Sequence, residues 1–399
     1  MAWRKVSLLF VAASCIGFLL QTNRIPSDVS ISKFAEPTLP QNISVVGLVH
    51  KTVAEKRASA FQFQVGRETW INEKAIDGKD RRPSFPFITG DGFRRLCKHR
   101  CERVGRDRRL CNFRASDVQS GECVYIAVTD LKTFRTTSRY LHAFDRDIRL
   151  RIKKKYILVS HNGDLSAPYG DSWHPNEKNP GEWKENFLSW LESPMLIRWY
   201  ASNCHFKGNV KPEKLRCIPI GLRNRYNKGG KLEAKDYPML KTGSFPRPKR
   251  KRLPTKLLVD FVKDNHWKPD RGKALDSLGR LSFIKRTRKM SAKKWRDTVR
   301  TTVFVSCPHG HGLDTHRLWE VLLLGSYPVV KSSTLDSMYT EHGLPVLIVK
   351  EWSDVTIELL NTVRDQFSKA PYVGKSFANK LTFSYWKEII EKDAAENGQ

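Results

Sequence analysis

From residue 124 onward, short apolar runs alternate with amphipathic stretches, the pattern of strands interleaved with helices. Residues 124–128, 156–160, 197–201 and 216–220 have the length and the β-branched and aromatic content of buried strands, and 183–192 reads as a helix. The alternation resumes with a strand at 256–262, helices near 272–281 and 291–301, a strand at 302–306, a helix at 315–324 and strands at 327–330 and 345–349. Between the two series, Phe245-Pro-Arg-Pro-Lys-Arg-Lys-Arg252 is basic and punctuated by proline, so it reads as a solvated linker. The pattern predicts two α/β domains with parallel sheets, one at 87–245 and a second at 256–399, joined by a basic linker at 246–255. Open parallel sheets hold ligands outside the carboxyl ends of their strands, and two such domains in tandem would face each other across a cleft.

The amino-terminal region has a different pattern. Arg4 and Lys5 precede a largely apolar run at 6–20 that ends at Gln21. Its roughly 15 residues fall between the core of a cleaved signal peptide and a full span of ~20. Both early charges precede the run and no small-x-small cleavage site follows Leu20. Residues 1–24 therefore read as a cytosolic tip and a short signal anchor of single-pass type II topology, with the rest of the chain in the lumen of the endoplasmic reticulum or Golgi. Residues 25–86 mix prolines, polar residues and short apolar pieces with no sustained period and read as a stem, where the sequon Asn42-Ile43-Ser44 fits.

The chain has 399 residues and a formal net charge of +30, and its aromatic share of 11% excludes a wholly disordered basic protein. The surplus of Lys and Arg attracts phosphates, anionic polymers or anionic lipid. A nucleic-acid partner is not expected, because the basic run at 245–252 lies behind a secretory segment. Cys97, Cys101, Cys111 and Cys123 cluster in a basic segment, expected to be a stapled loop at the entrance to the first domain, and Cys204 and Cys217 bracket a loop. In an oxidising lumen these read as disulfides. Cys97-x-x-x-Cys101 with His99 keeps a zinc site as the rival, although the spacing is not that of a paired CxxC ribbon. Cys307 is left over and reads as a buried thiol.

The densest chemical signal lies at 304–331. An apolar strand ending at Ser306 runs into a loop with Pro308, His309, Gly310, His311 and Gly312, and Asp314 or Thr315 can cap a helix beginning near His316. Glycines allow close backbone approach to a ligand, and the helix start offers amide donors and a positive dipole end to a diphosphate. Arg317 in the first turn is the nearest cation. Glu320, three residues on, is a carboxylate in an otherwise apolar helix; its plainest role is an intrahelical ion pair with Arg317, of a few tenths of a kcal/mol.

At these residues the sequence resembles the exostosin-like glycosyltransferases, whose donor domain has a similar strand, a Pro-Gly-rich loop, a helix of the form Arg-x-x-Glu and an apolar strand with Pro-Val. The matching pieces here are 306–312, 314–320, 325–330 and 344–352, with a fainter likeness at 160–164, 199–203 and 218–222. The resemblance implies a GT-B fold of two facing Rossmann-like domains, with the donor held mainly by the second. It implies further that Glu320 holds the ribose and Arg317 the diphosphate of a nucleotide-sugar co-substrate. Many relatives have Arg where His309 stands.

Sugar transfer requires the leaving diphosphate to be stabilised, the acceptor hydroxyl deprotonated and water excluded. Arg317, the loop amides and His311 are candidates for the first task; Asp164 or His161, at the carboxyl end of the 156–160 strand, for the second. A metal-dependent enzyme would need an Asp-x-Asp pair near a strand end; Asp145-Arg146-Asp147 lies instead in a charge-rich stretch upstream of a strand, so no metal is expected. The expected activity is transfer of a sugar from a nucleotide-sugar to a glycan or glycoprotein acceptor; the alternative is a lumenal lectin or polyanion-binding protein without turnover.

Overall fold

The computed structural model describes residues 86–102, 110–128, 139–168, 187–206, 211–224, 253–263, 269–287, 290–369, 372 and 375–398. The apolar run at 6–20, the sequon, the stem up to residue 85 and residues 246–252 of the basic linker lie outside the described residues. All described residues belong to one compact unit, Thr52–Gln399. No helix among them is long and apolar enough to cross a membrane.

In the first half, β1 (His99–Cys101), β2 (Cys123–Ala127), β3 (Tyr156–His161), β4 (Leu196–Ala201) and β5 (Leu215–Cys217) form a parallel sheet in chain order. All residues of β3 are buried, because both faces of the sheet are covered, and such strands read as continuous apolar runs rather than alternating ones. Helix α1 (Gly90–Leu96) starts at Thr89, whose hydroxyl accepts from the Gly92 amide, and packs on β2 and β3. Helix α2 (Arg139–Asp147) lies against β1 and β2. The stretch at 183–192 is a short 3-10 turn over Leu188–Glu192, with 183–186 outside the described residues; its Trp190 stacks on Trp199 of β4 at 5.2 Å.

The second half contains β6 (Leu257–Val259), α3 (Pro269–Leu278), β7 (Ile284–Arg286), α4 (Ala292–Arg300), β8 (Phe304–Ser306), α5 (His316–Leu323), β9 (Tyr327–Lys331), α6 (Asp336–Glu341) and β10 (Leu347–Val349). Its parallel strands lie in the order β10-β9-β8-β6-β7, so the chain winds one way from β6 to β7 and the other way from β8 onward. That reversal is the switch point of a doubly wound sheet and lies between β6 and β8. Among the described residues the first sheet has no reversal, and the Rossmann-type winding expected of both domains is found there in the second alone.

Helices α7 (Ile357–Phe367), α8 (Lys375–Lys380) and α9 (Phe383–Asn397) complete the chain. Chain order groups α9 with the second domain, yet it packs on β3, β4 and α1 of the first. The Phe383 ring meets Phe93 edge-on at 5.3 Å, its amide donates to the Pro86 carbonyl at 2.8 Å, and the Tyr200 hydroxyl donates to Asp393 at 2.6 Å. A sheet wound in one direction carries its right-handed crossovers on one face, so it needs cover from elsewhere; α1 and α9 supply it. The larger core runs unbroken from the first sheet to Leu258, Val305 and Leu322 of the second half. Their strand neighbours Leu257 and Phe304 point the other way, into a smaller core with Val329 and Trp352.

The segment before residue 124 is more than a stapled loop: it holds α1 and the edge strand β1. Disulfides join Cys97 to Cys123 and Cys101 to Cys111, tying β1 to its flanks, and a third joins Cys204 to Cys217 beyond β4 and within β5. The sulfurs of the rival zinc reading are thus consumed, and the His99 ring contacts Glu122 at 2.6 Å instead. Cys307 is a buried free thiol.

Candidate functional site

The carboxyl ends of β6 and β8 meet at the switch point. Asp260 follows β6 directly, its side chain 2% exposed, and accepts from Nη1 of Arg317 and, at 2.5 Å, from Nε1 of Trp295 in α4. Arg317 therefore pairs across the sheet with Asp260 rather than along its helix with Glu320. The side chain is 22% exposed, and its other N–H groups have no partner among the described residues. Glu320, one turn further on, is almost fully buried. Burial pushes the Cys307 thiol up, and the charges of Arg317, Asp260, Glu320 and Asp314 act on it as well.

The loop after β8 is built from the fold outward. The buried Ser306 hydroxyl donates to the Leu258 carbonyl at 2.8 Å, locking β8 to β6. The His309 amide donates to Asp270 at 2.9 Å, and its ring Nδ1 lies 3.8 Å from the same oxygen, while Asp270 also accepts from Trp352 at 2.7 Å. His309 is therefore turned into the second half. Gly310 donates to the Gly312 carbonyl at 3.1 Å, closing a tight turn. A Cβ on Gly312 would sit 2.7–2.9 Å from the side-chain amide of Asn203, so only glycine lets this loop approach the first half so closely. Thr315 occupies the N-cap of α5 with extended backbone and no side-chain cap bond, while Asp314 accepts the Thr315 amide at 2.8 Å. The Leu318 amide donates to the Thr315 carbonyl at 3.1 Å, which leaves the His316 and Arg317 amides of the first turn of α5 to present its positive dipole end.

Three residues of this segment are engaged with the first half. Asp314 accepts the Ile220 amide at 2.8 Å as well as the Trp319 indole at 2.8 Å, and its own amide donates to Asn203 at 2.8 Å. Burial raises its carboxyl to about 6, against the lowering effect of those donors. His316 Nδ1 donates to the Gly221 carbonyl at 2.7 Å, and burial lowers the ring to about 4, so it is neutral at pH 7. His311 Nδ1 lies 3.9 Å from Asp164 Oδ2, both side chains being about half exposed (49% and 62%). This pair joins the loop after β8 to the loop after β3.

His161 ends β3. Its Nε2 donates to the Pro219 carbonyl at 3.0 Å, its Nδ1 accepts the Asn162 amide at 2.6 Å, and the ring stacks on Phe93 at 5.1 Å. Burial lowers it to about 4. Both nitrogens are occupied, so the imidazole anchors the turn that carries Asp164 and has no lone pair to offer an acceptor hydroxyl.

Arg317, Glu320 and the amides of the loop thus gather at the switch point, and His311 with Asp164 at its border with the first half. His161, His309, Asp314 and His316 hold backbone in place. Asp260, Asp270 and Trp295 escape sequence reasoning; Asp260, straight after the apolar run 257–259, carries the one available signal, its place at a strand's carboxyl end. The Asp145-Arg146-Asp147 carboxylates pair with Arg149 and Arg146 at the end of α2. Among the described residues no three His, Cys, Asp or Glu side chains cluster as a metal site.

The fold and site together define a two-half parallel α/β protein whose polar groups converge where the second sheet's reversal meets the first half. No protein-family model matches the chain, and no curated protein matches it in sequence. Among solved structures it is similar to Anabaena HepE in complex with UDP-glucose, at 10% identity and a TM-score of 0.32, over 69% of this chain and 78% of that one. It is also similar to the GtfA/B complex, at 10% identity and a TM-score of 0.31, over 70% of this chain and 59% of that one.

Proposed function

We propose that this chain is a glycosyltransferase that moves a sugar from a nucleotide-sugar donor to a glycan or glycoprotein acceptor in the secretory pathway, without a metal ion. The observation that carries the reading is Arg317: a cation held by Asp260 at the switch point, with N–H donors to spare beside a glycine loop and a helix amino terminus. Arg317 and the first-turn amides of α5 take the donor diphosphate, and Glu320, one turn along, takes the ribose hydroxyls. Asp164, half exposed and 3.9 Å from His311, takes the proton of the acceptor hydroxyl in an inverting transfer. The acceptor oxygen bonds to the anomeric carbon as the bond to the β-phosphate oxygen breaks and the nucleoside diphosphate leaves. Donors aimed at that leaving group act where charge develops, and each is worth about 2.7–4 kcal/mol in enzymes where one has been removed.

The secretory location rests on the apolar run at 6–20 behind Arg4 and Lys5, and on the three disulfides, which persist in an oxidising compartment. Incubation with a panel of nucleotide-sugars, following nucleotide release with and without chelator, tests the activity. Release by the wild type that survives chelator and is lost in folded Glu320→Ala and Arg317→Lys variants is the expected result. Donor binding with no release for any sugar or acceptor would leave a non-catalytic binding protein.

A further inference from the structure

Asn203 lies beyond β4 with its backbone in the left-handed region (φ 51°), a conformation Asn tolerates better than most residues. Its backbone neighbours are fixed: Cys204 is disulfide-bonded to Cys217, its carbonyl accepts from Thr334 at 2.8 Å, and the His205 amide donates to Ala167 at 2.7 Å. From this platform the fully buried side chain reaches in two directions. Nδ2 donates to the carbonyl of Gly163 at 3.0 Å, and Oδ1 accepts the amide of Asp314 at 2.8 Å. Gly163 immediately precedes Asp164, and Asp314 closes the turn that carries His311. Gly312, between them, packs so closely that a Cβ there would strike the same amide.

We infer that Asn203 is a positioning residue: one carboxamide, donating to one loop and accepting from the other, sets the spacing between Asp164 and His311 and so the alignment of acceptor with donor. A donor or an acceptor alone could satisfy only one of the two loops, which is why an amide is required. The inference rests on the glycosyltransferase reading for its consequence, though not for the coupling itself.

The experiment uses the full chain with Asn203→Gly, which keeps the left-handed backbone comfortable while removing the side chain. Hydrogen exchange of peptides covering 160–168 and 307–316 is compared with wild type, alongside kcat, donor KM and the pH–rate profile. Exchange should accelerate in both loops together, and kcat should fall about 10–100-fold, as misplacement of reacting groups does, while donor KM changes less than about threefold. The limb of the pH–rate profile that reports the acceptor base should also move. Gly312→Ala, which drives a methyl into the same amide from the other side, should reproduce this signature and serves if Asn203→Gly does not fold. Acceleration confined to one loop, or a lowered melting temperature with kcat and pH profile unchanged, would overturn the proposal. If the wild type turns over no donor, the exchange result still decides the coupling, and the glycosyltransferase reading fails separately.

Discussion

Replacing Arg317 by alanine separates holding the fold from holding a ligand. The substitution leaves the Asp260 carboxylate, 2% exposed, with the Trp295 indole as its remaining donor among the described residues. Breaking a fully buried ion pair costs about 3–5 kcal/mol; with the Arg317 side chain 22% exposed, solvent screening brings the expected loss to about 2–3 kcal/mol. At about 1–1.5 °C per kcal/mol for a chain of 399 residues, the melting temperature should drop by about 2–5 °C. Adding Asp260→Asn removes the stranded charge while leaving an oxygen for Trp295, so the double variant should regain most of that stability. It should not regain donor affinity: a charge-assisted hydrogen bond of about 1.5–3 kcal/mol corresponds to roughly 10–150-fold in Kd. Calorimetric melting and nucleotide titration on the two variants and the wild type check both quantities. Recovery of stability together with wild-type nucleotide affinity in the double variant would refute the reasoning, because Arg317 would then serve only Asp260.

Two further outcomes follow from the burial of charged and apolar groups. Burial holds His161, His316 and His342 at about 4, below their usual 6.5, so the unfolded chain takes up protons first and their contribution to stability, complete above pH 6.5, is lost as pH falls towards 4. Asp314, raised to about 6, has the opposite sign, contributing below its unfolded value near 4 and losing that as pH rises through 6. Three groups outweigh one, so urea unfolding should show lower stability at pH 4.5 than at pH 7. His316→Asn, which keeps a donor for the Gly221 carbonyl, should flatten the acid limb, and an unchanged limb would count against the assignment. Deleting 383–399 strips Phe383, Trp386 and Ile390 from the first sheet, about 5–9 kcal/mol of burial and comparable with the whole stability of a domain. Limited proteolysis should then cut first within the first half, between β2 and β4; initial cleavage in the second half would contradict the packing of α9.

Much of the element order was legible in the chain. The β2, β3, β4 and β9 runs stand out because strands buried on both faces are continuously apolar, and Ser291 announces α4 by capping it through the Lys294 amide. β1 and β7 did not stand out: each is three residues long and carries polar side chains, His99 and Arg100 in one, Lys285 and Arg286 in the other. The glycine loop between Ser306 and Arg317 was legible as a place where backbone could approach a ligand, since that depends on residues adjacent in sequence. By itself, then, the sequence determined a parallel α/β chain and its disulfide-forming cysteines, and it marked the glycine loop that is proposed to carry the chemistry, because apolar period, turn residues and capping are local properties. Tertiary structure alone decided the strand order, the return of α9 to the first sheet, the pairing of Arg317 with Asp260 and the double engagement of Asn203. Each joins positions far apart along the chain, and which distant groups meet is set by how sheets wind and pack, which no local pattern encodes.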